Sequence, residues 1–249
     1  MNPEAQYRRY KPDYTGMELR ELPFCTLPDH NGVQTVYKLD LITAPATSAL
    51  SRPVVLFLHG GGFIQPNDKR QAYISLFARE LTAAGYAVIA PDYPVFENEE
   101  HLAAAGGESA GYSAAARAVH EAYRFIQQNA VAFGLDAGNI SLIGGSAGGM
   151  TGFYAIAEYP DDHYRAFINL WGAPDPVPEL AGFPPVYSVH GDADPLVSYE
   201  RELPIRQALA EFGIPHALVS LAGSGHTPLN RMKEFWPGAL TFLKKYTMC

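Results

Sequence analysis

Six short apolar runs, none with more than one polar residue inside it, constrain this 249-residue chain more than any other feature: Val54–Leu58, Ala87–Ala90, Ile140–Ile143, Ala166–Leu170, Val186–Val189 and Ala217–Leu221. Runs of this kind, lacking the regular apolar–polar alternation of a half-exposed strand, suit strands covered on both faces. A seventh segment behaves differently. Tyr37, Leu39 and Leu41 alternate with Lys38 and Asp40, which predicts a half-exposed strand. Helical periods lie between the runs. Tyr73, Leu76, Phe77 and Leu81 close at Gly85, and Ile205, Ala208, Leu209 and Phe212 close at Gly213. Val119, Ala122, Tyr123, Ile126 and Ala130 share a helical face, and a last helix carrying Ala239, Phe242, Leu243 and Tyr246 is predicted to begin near Pro237. Strand and helix alternate throughout. The expected fold is therefore α/β, a mainly parallel sheet of about eight strands with helices on both faces. In such sheets chemistry collects beyond the carboxyl ends of the strands.

No linker, repeat or low-complexity tract divides the chain, so one domain over residues 1–249 is expected. The formal net charge is −8, and Lys and Arg are scattered. That argues against nucleic acid or an anionic membrane as partner. Cys25 and Cys249 lie far apart, which gives no disulfide framework and no metal-ligand spacing and fits a reducing compartment. The first residues lack the apolar stretch of a signal peptide, and no apolar run approaches the length of a membrane span. A cytoplasmic protein without metal or cofactor is the expectation. The sequence sets no oligomeric state.

The run Ile140-Ser-Leu-Ile-Gly-Gly-Ser146-Ala-Gly-Gly149 reads as a buried strand, a glycine-lined turn and a helix start. A serine at the apex of such a turn projects its hydroxyl clear of the sheet, and Gly144 and Gly148 remove side chains that would crowd the bend. The helix start points free backbone N–H groups and a positive dipole end at the place where negative charge would develop. A nucleophilic serine needs that geometry. A second G-x-S-x-G pattern, Gly107-Glu-Ser109-Ala-Gly111, follows the acidic, alanine-rich stretch Phe96–Gly106 and no strand. Ser109 is therefore expected to be a loop or helix-start residue whose job is capping.

The other strand ends supply the rest of a site. After Val54–Leu58 comes His59-Gly-Gly-Gly-Phe63. Three consecutive glycines are costly in chain entropy unless the backbone itself must approach a ligand. Gly61 and Gly62, with Ala147 after the serine, are the candidate oxyanion donors. His59 is expected to fix this loop by hydrogen bonding. After Val186–Val189 comes His190-Gly-Asp192-Ala-Asp194, with two aspartates competing to orient a base. After Ala217–Leu221 comes Ala222-Gly-Ser-Gly-His226, the candidate base. The remaining histidines (30, 101, 120, 163, 190 and 216) read as solvated surface groups. Ser146, an aspartate of the 192–194 loop and His226 stand in nucleophile–acid–base order, each just beyond a predicted strand.

With these residues the chain resembles the α/β-hydrolase superfamily. Within it, it is similar to the hormone-sensitive-lipase-like esterases and their short relatives, which include acetyl-xylan and feruloyl esterases. The resemblance runs from about Leu39 to the C-terminus and includes the Asp92-Tyr93 pair. It implies Asp194 as the acid, since the family's aspartate stands three residues before the valine of an H-G-x-x-D-x-x-V run, here Val197. The chain departs from the hormone-sensitive-lipase pattern in carrying Gly145 where an aspartate is usual, and in its short N-terminal region. Only about ten residues, Ala173 to Phe183, link the fourth and fifth apolar runs, so the cap is minimal. Residues 94–111 are the one sizeable irregular insertion, a small lid or pocket wall.

The expected activity is hydrolysis of short-chain acyl or aryl esters by a cofactor-independent serine carboxylesterase. Its substrate would be a small ester, acylated carbohydrates among the candidates. Ser146, Asp194 and His226 would be catalytic, with Gly61, Gly62 and Ala147 as the oxyanion hole. Two other readings stand beside it. One is amide or formamide hydrolysis, or a small peptidase, on the same residues; the other is a catalytically silent hydrolase fold that acts as a binding module.

Overall fold

The computed structural model describes residues 11–45 and 51–248. Among them, one eight-stranded sheet runs through β1 (Glu18–Pro28), β2 (Gln34–Thr43), β3 (Arg52–Leu58), β4 (Ala87–Pro91), β5 (Leu135–Gly145), β6 (Tyr164–Leu170), β7 (Val186–Gly191) and β8 (His216–Leu221). The spatial order is β1-β2-β4-β3-β5-β6-β7-β8. The β1–β2 and β2–β4 pairs are antiparallel, and the pairings from β4 through β8 are parallel. Each of the six apolar runs lies within a strand, as the sequence predicts.

The helices are α1 (Ala72–Ala83), α2 (Glu99–Ala104), α3 (Glu108–Phe133), α4 (Ala147–Glu158), α5 (Glu202–Glu211) and α6 (Met232–Thr247). They cover both faces of the sheet. Successive side chains of a strand point to opposite faces, and β3 splits accordingly. Val54, Leu56 and Leu58 join the core under α3, α4 and α5, while Val55 and Phe57 join the core under α1 and α6. Both faces need apolar residues, which is why the central strands read as mostly apolar runs without regular alternation.

Several expectations are corrected. Strand β1 went unplaced; it is an edge strand, much of it half-exposed and carrying Pro23 and Pro28, so no apolar run marks it. Strand β8 is also an edge, and only Leu221 of its residues is buried rather than the whole run. Phe212 is 48 % exposed and lies off the buried face of α5. The last helix begins at Met232, and Pro237 sits inside it. The stretch from Phe96 to Gly106 is not wholly irregular, since it holds α2, capped by the Asn98 side chain accepting the His101 N–H at 3.0 Å. Ser109 is a helix-start residue, in the first turn of α3, as expected, but it does not cap that helix; Gly107 stands at the cap position.

Candidate functional site

Ser146 occupies the step between β5 and α4 with φ 55° and ψ −123°. A non-glycine residue with positive φ is strained, and two neighbouring contacts hold it there. The Ser146 N–H donates to the Leu170 carbonyl at 2.9 Å, and its own carbonyl accepts from Met150 N–H at 3.0 Å. The turn admits no side chain at residue 148, where a Cβ would sit 2.3 Å from the Leu58 carbonyl oxygen. The glycine spacing is thus a packing requirement between β3 and α4.

Three residues from three strand ends meet at this turn. Ser146 Oγ lies 2.8 Å from His226 Nε2, and His226 Nδ1 lies 2.6 Å from Asp194 Oδ2. Ser146 is half-buried, whereas the side chains of His226 and Asp194 are only 3 % and 0 % exposed. Asp194 cannot donate from its ionised form, so the Nδ1–H of His226 donates to it and Nε2 is left to accept from the serine hydroxyl. The second Asp194 oxygen accepts the backbone N–H groups of Leu196 and Val197 at 2.9 and 3.1 Å. Burial opposes its charge, but hydrogen bonds from His190 and His226 outweigh that and hold its carboxyl well below the usual carboxylate range.

The other aspartate of the pair is turned away. Asp192 Oδ1 accepts the Gly223 N–H at 2.6 Å, and Ala193 N–H donates to the Ser224 carbonyl at 3.0 Å. These bonds lace the β7 loop to the loop that carries His226. Ser109 belongs to α3 and does not join the Ser146–His226–Asp194 series.

The glycine run after β3 folds beside the serine. Gly61 and Gly62 have φ 111° and 62°, conformations that favour glycine. The Gly60 N–H donates to Tyr73 Oη at 2.7 Å, while Asn67 Nδ2 donates to the carbonyls of Gly61 and Ile64 at 3.1 and 2.8 Å. No protein acceptor among the described residues takes the N–H of Gly61 or Gly62. Ala147 opens α4, where the first N–H groups have no intrahelical acceptor. His59 is buried, stacks on Tyr93 with centroids 3.9 Å apart, and donates from Nδ1 to the Gly60 carbonyl at 2.8 Å. Burial pushes its pKa down, so the ring is neutral and holds the loop. The Tyr93 hydroxyl donates to the His59 carbonyl, and Asp92 pairs with Lys69.

Behind Asp194 lies a polar layer that the sequence did not reveal. His190, expected at the surface, is wholly buried. Its Nδ1 is 3.1 Å from Glu202 Oε1, and its Nε2 is 2.9 Å from the Val197 carbonyl and 3.3 Å from Asp194 Oδ2. Burial disfavours the charged ring, yet the bonds to Asp194 and Glu202 prevail and raise its pKa to about 9. Asn169 Nδ2 donates to Glu202 Oε1 at 3.1 Å and to the Gly172 carbonyl at 2.6 Å, joining β6 to this layer. A charged imidazole between two carboxylates keeps Asp194 ionised and fixed.

The 94–111 segment is tied to the glycine run. Phe96 N–H donates to the Phe63 carbonyl at 2.6 Å, and Gln65 N–H donates to the Phe96 carbonyl at 2.8 Å. Phe63 packs edge-on against Tyr112 of α3 with centroids 5.5 Å apart.

Comparison with known proteins agrees with this architecture. The family model BD-FAE matches residues 39–159. No curated protein matches the sequence. Among solved structures, a thermostable esterase from Pseudomonas putida ECU1011 superposes with a TM-score of 0.76 at 18 % identity, covering 99 % of this chain and 88 % of that one. MGS-M1, an α/β-hydrolase enzyme from a Medee basin deep-sea metagenome library, superposes at 0.74 with 18 % identity, covering 94 % and 99 %. Thermogutta terrifontis esterase 2 phosphonylated by cyclosarin superposes at 0.71 with 21 % identity, covering 95 % and 97 %. This chain has the α/β-hydrolase fold. No helix among the described residues is long and apolar enough to cross a membrane.

Proposed function

We propose that the chain is a serine carboxylesterase acting on small, short-chain esters. The observation that carries this reading is the unbroken hydrogen-bonded series from Ser146 through His226 to Asp194. In it, His226 Nε2 accepts the Ser146 proton as Oγ attacks the acyl carbonyl carbon, and Asp194 stabilises the imidazolium. The N–H groups of Gly61, Gly62 and Ala147 take the oxyanion. His226 then returns its proton to the leaving alkoxide, and a water activated by the same ring hydrolyses the acyl-enzyme. The esterase names of several structural neighbours support ester over other acyl substrates, and the phosphonylated Thermogutta enzyme supports a nucleophile of this kind.

Residues 94–111 are proposed as a fixed wall of the acyl pocket, because Phe96 is bonded through both its N–H and its carbonyl to the segment that leaves the glycine run, at Phe63 and Gln65. A cytoplasmic location is proposed on the cysteine usage, with Cys25 unpaired. The deciding experiment combines a fluorophosphonate probe with paired ester and amide substrates of one acyl group. Stoichiometric labelling and preferential ester turnover are expected. Absence of labelling and of turnover on a broad ester panel would overturn the reading.

A further inference from the structure

Away from the serine, the hairpin between β1 and β2 meets the segment leading into α2. His30 of the hairpin, Glu97 and His101 bring one donor atom each to within 4.8 Å of one another. The His101 Nδ1 is 3.3 Å from Glu97 Oε2, and the two imidazole rings lie face to face with centroids 6.0 Å apart and planes at 29°. Among the described residues this is the one such group of histidine, cysteine and carboxylate ligands outside the buried core. We propose that His30, Glu97 and His101 form a surface site for a divalent first-row transition ion, zinc above all.

The donor chemistry selects the ion. Two imidazoles and one carboxylate suit Zn, Cu or Ni, whereas Mg and Ca take oxygen ligands. Three protein ligands with the fourth position left to water is an established zinc arrangement. Tetrahedral bonds of about 2.0–2.1 Å put donor atoms roughly 3.4 Å apart. Closing from the observed separation needs a rotamer adjustment chiefly of Glu97 and His101, which are exposed, while His30 is half-buried with its Nε2 accepting from Asn31 Nδ2 at 2.9 Å. The supports are firm on both sides. Asp29 Oδ1 accepts the N–H groups of Asn31 and Val33 at 2.8 and 3.0 Å, which pins the turn that carries His30. The Asn98 side chain caps the helix that carries His101. Glu99 and Glu100 in the first turn of α2 add negative charge nearby, which draws a cation.

The ion would staple together two segments far apart in sequence. One of them, through Phe96, is bonded to the Phe63 carbonyl and the Gln65 N–H, just after the glycine run. The site is therefore a stabilising clasp on the wall beside Ser146, and it adds nothing to the bond-breaking chemistry.

The test is calorimetric titration of zinc chloride into the full-length protein, produced without a polyhistidine tag and stripped with EDTA. One saturable site is expected, with magnesium giving no heat of binding. His30→Gln and His101→Gln should each weaken zinc by at least about tenfold. In the same samples zinc should raise the thermal midpoint of the parent protein and leave that of either variant where it was. His163→Gln, at an exposed histidine elsewhere, should bind zinc as the parent does. No saturable uptake by the parent protein, or uptake that survives in His30→Gln and His101→Gln, would overturn the proposal.

Discussion

The Nε2 of His190 stands 3.3 Å from Oδ2 of Asp194, and neither side chain has any solvent exposure. Glu202, equally sealed, holds the other ring nitrogen at 3.1 Å. Removing one member of such a buried group leaves its partners uncompensated, which is where large destabilisation arises. The charge on His190 is thus a structural component, and it can be titrated.

His190 is raised from 6.5 to about 9 by folding. Below pH 6.5 its ring is charged in both the folded and unfolded states, and its stabilising contribution is complete. Between pH 6.5 and 9 the unfolded chain sheds this proton while the folded one keeps it, so the contribution shrinks as pH rises. The shift corresponds to roughly 3 kcal/mol. Thermal unfolding of His190→Gln should therefore lie well below the parent at pH 6, with the gap narrowing toward pH 9.5. A gap independent of pH would mean that the folded ring is neutral.

Ser146→Ala should lose about a thousandfold or more of the ester turnover, as removal of a nucleophile does elsewhere. Ser109→Ala should keep most of it, because that side chain lies in α3 outside the hydrogen-bonded series. Peptide mapping after phosphonate treatment should place the adduct on Ser146. An adduct on the peptide holding Ser109 would reverse the assignment.

The two aspartates of the β7 loop should separate cleanly. Asp194→Asn replaces the acceptor of the His226 Nδ1–H by a group that can present a donor, which favours the wrong tautomer; kcat should fall on the order of 10⁴-fold. Asp192→Asn can still accept the Gly223 N–H through its amide oxygen, so only a modest loss is expected. Steady-state kinetics of both variants on one soluble aryl ester decides the matter. Equal losses would mean that the loop tie matters as much as the acid.

If the 94–111 segment is a fixed wall, turnover of soluble aryl esters should fall steeply from acetyl and butyryl to long acyl chains. No jump should occur as a long-chain ester passes its solubility limit, since a segment carrying Glu97, Glu99, Glu100 and Glu108 presses poorly against lipid. Rates measured across that limit check this. Faster turnover of an emulsion would show that the segment opens.

Legibility in the sequence followed burial. Strands β3 to β7 were readable because both faces are covered, so nearly every central position is apolar, and the buried exceptions (Ser141, Asn169, Ser188 and His190) are too few to break the runs. Strand β1 was not, because an edge with one solvated side needs no such run. Helix α2 buries none of its residues and so prints no helical period. At the site, Ser146 and His226 stood out because each follows a strand and sits among glycines that the turn requires. Glu202 and Asn169 gave no such signal. Glu202 follows Arg201 at the start of a mostly solvated helix, and nothing local announces that the fold swings it beneath His190. The same holds for His190, whose burial depends on β7 lying between β6 and β8.

Among the described residues, four that are not glycine have left-handed backbones: Phe63, Ser146, Trp171 and Thr227. Each comes a few residues at most beyond the carboxyl end of a parallel strand or beside His226, so the conformational cost falls on one rim of the sheet. The opposite rim, where β5, β6, β7 and β8 begin, carries no such residue. Strands of six or seven residues put roughly 20 Å between the rims. A tether installed at exposed Asp161, in the turn before β6, would therefore leave the reacting rim facing bulk solvent. Immobilised on a solid support through that point, the protein should retain its solution turnover.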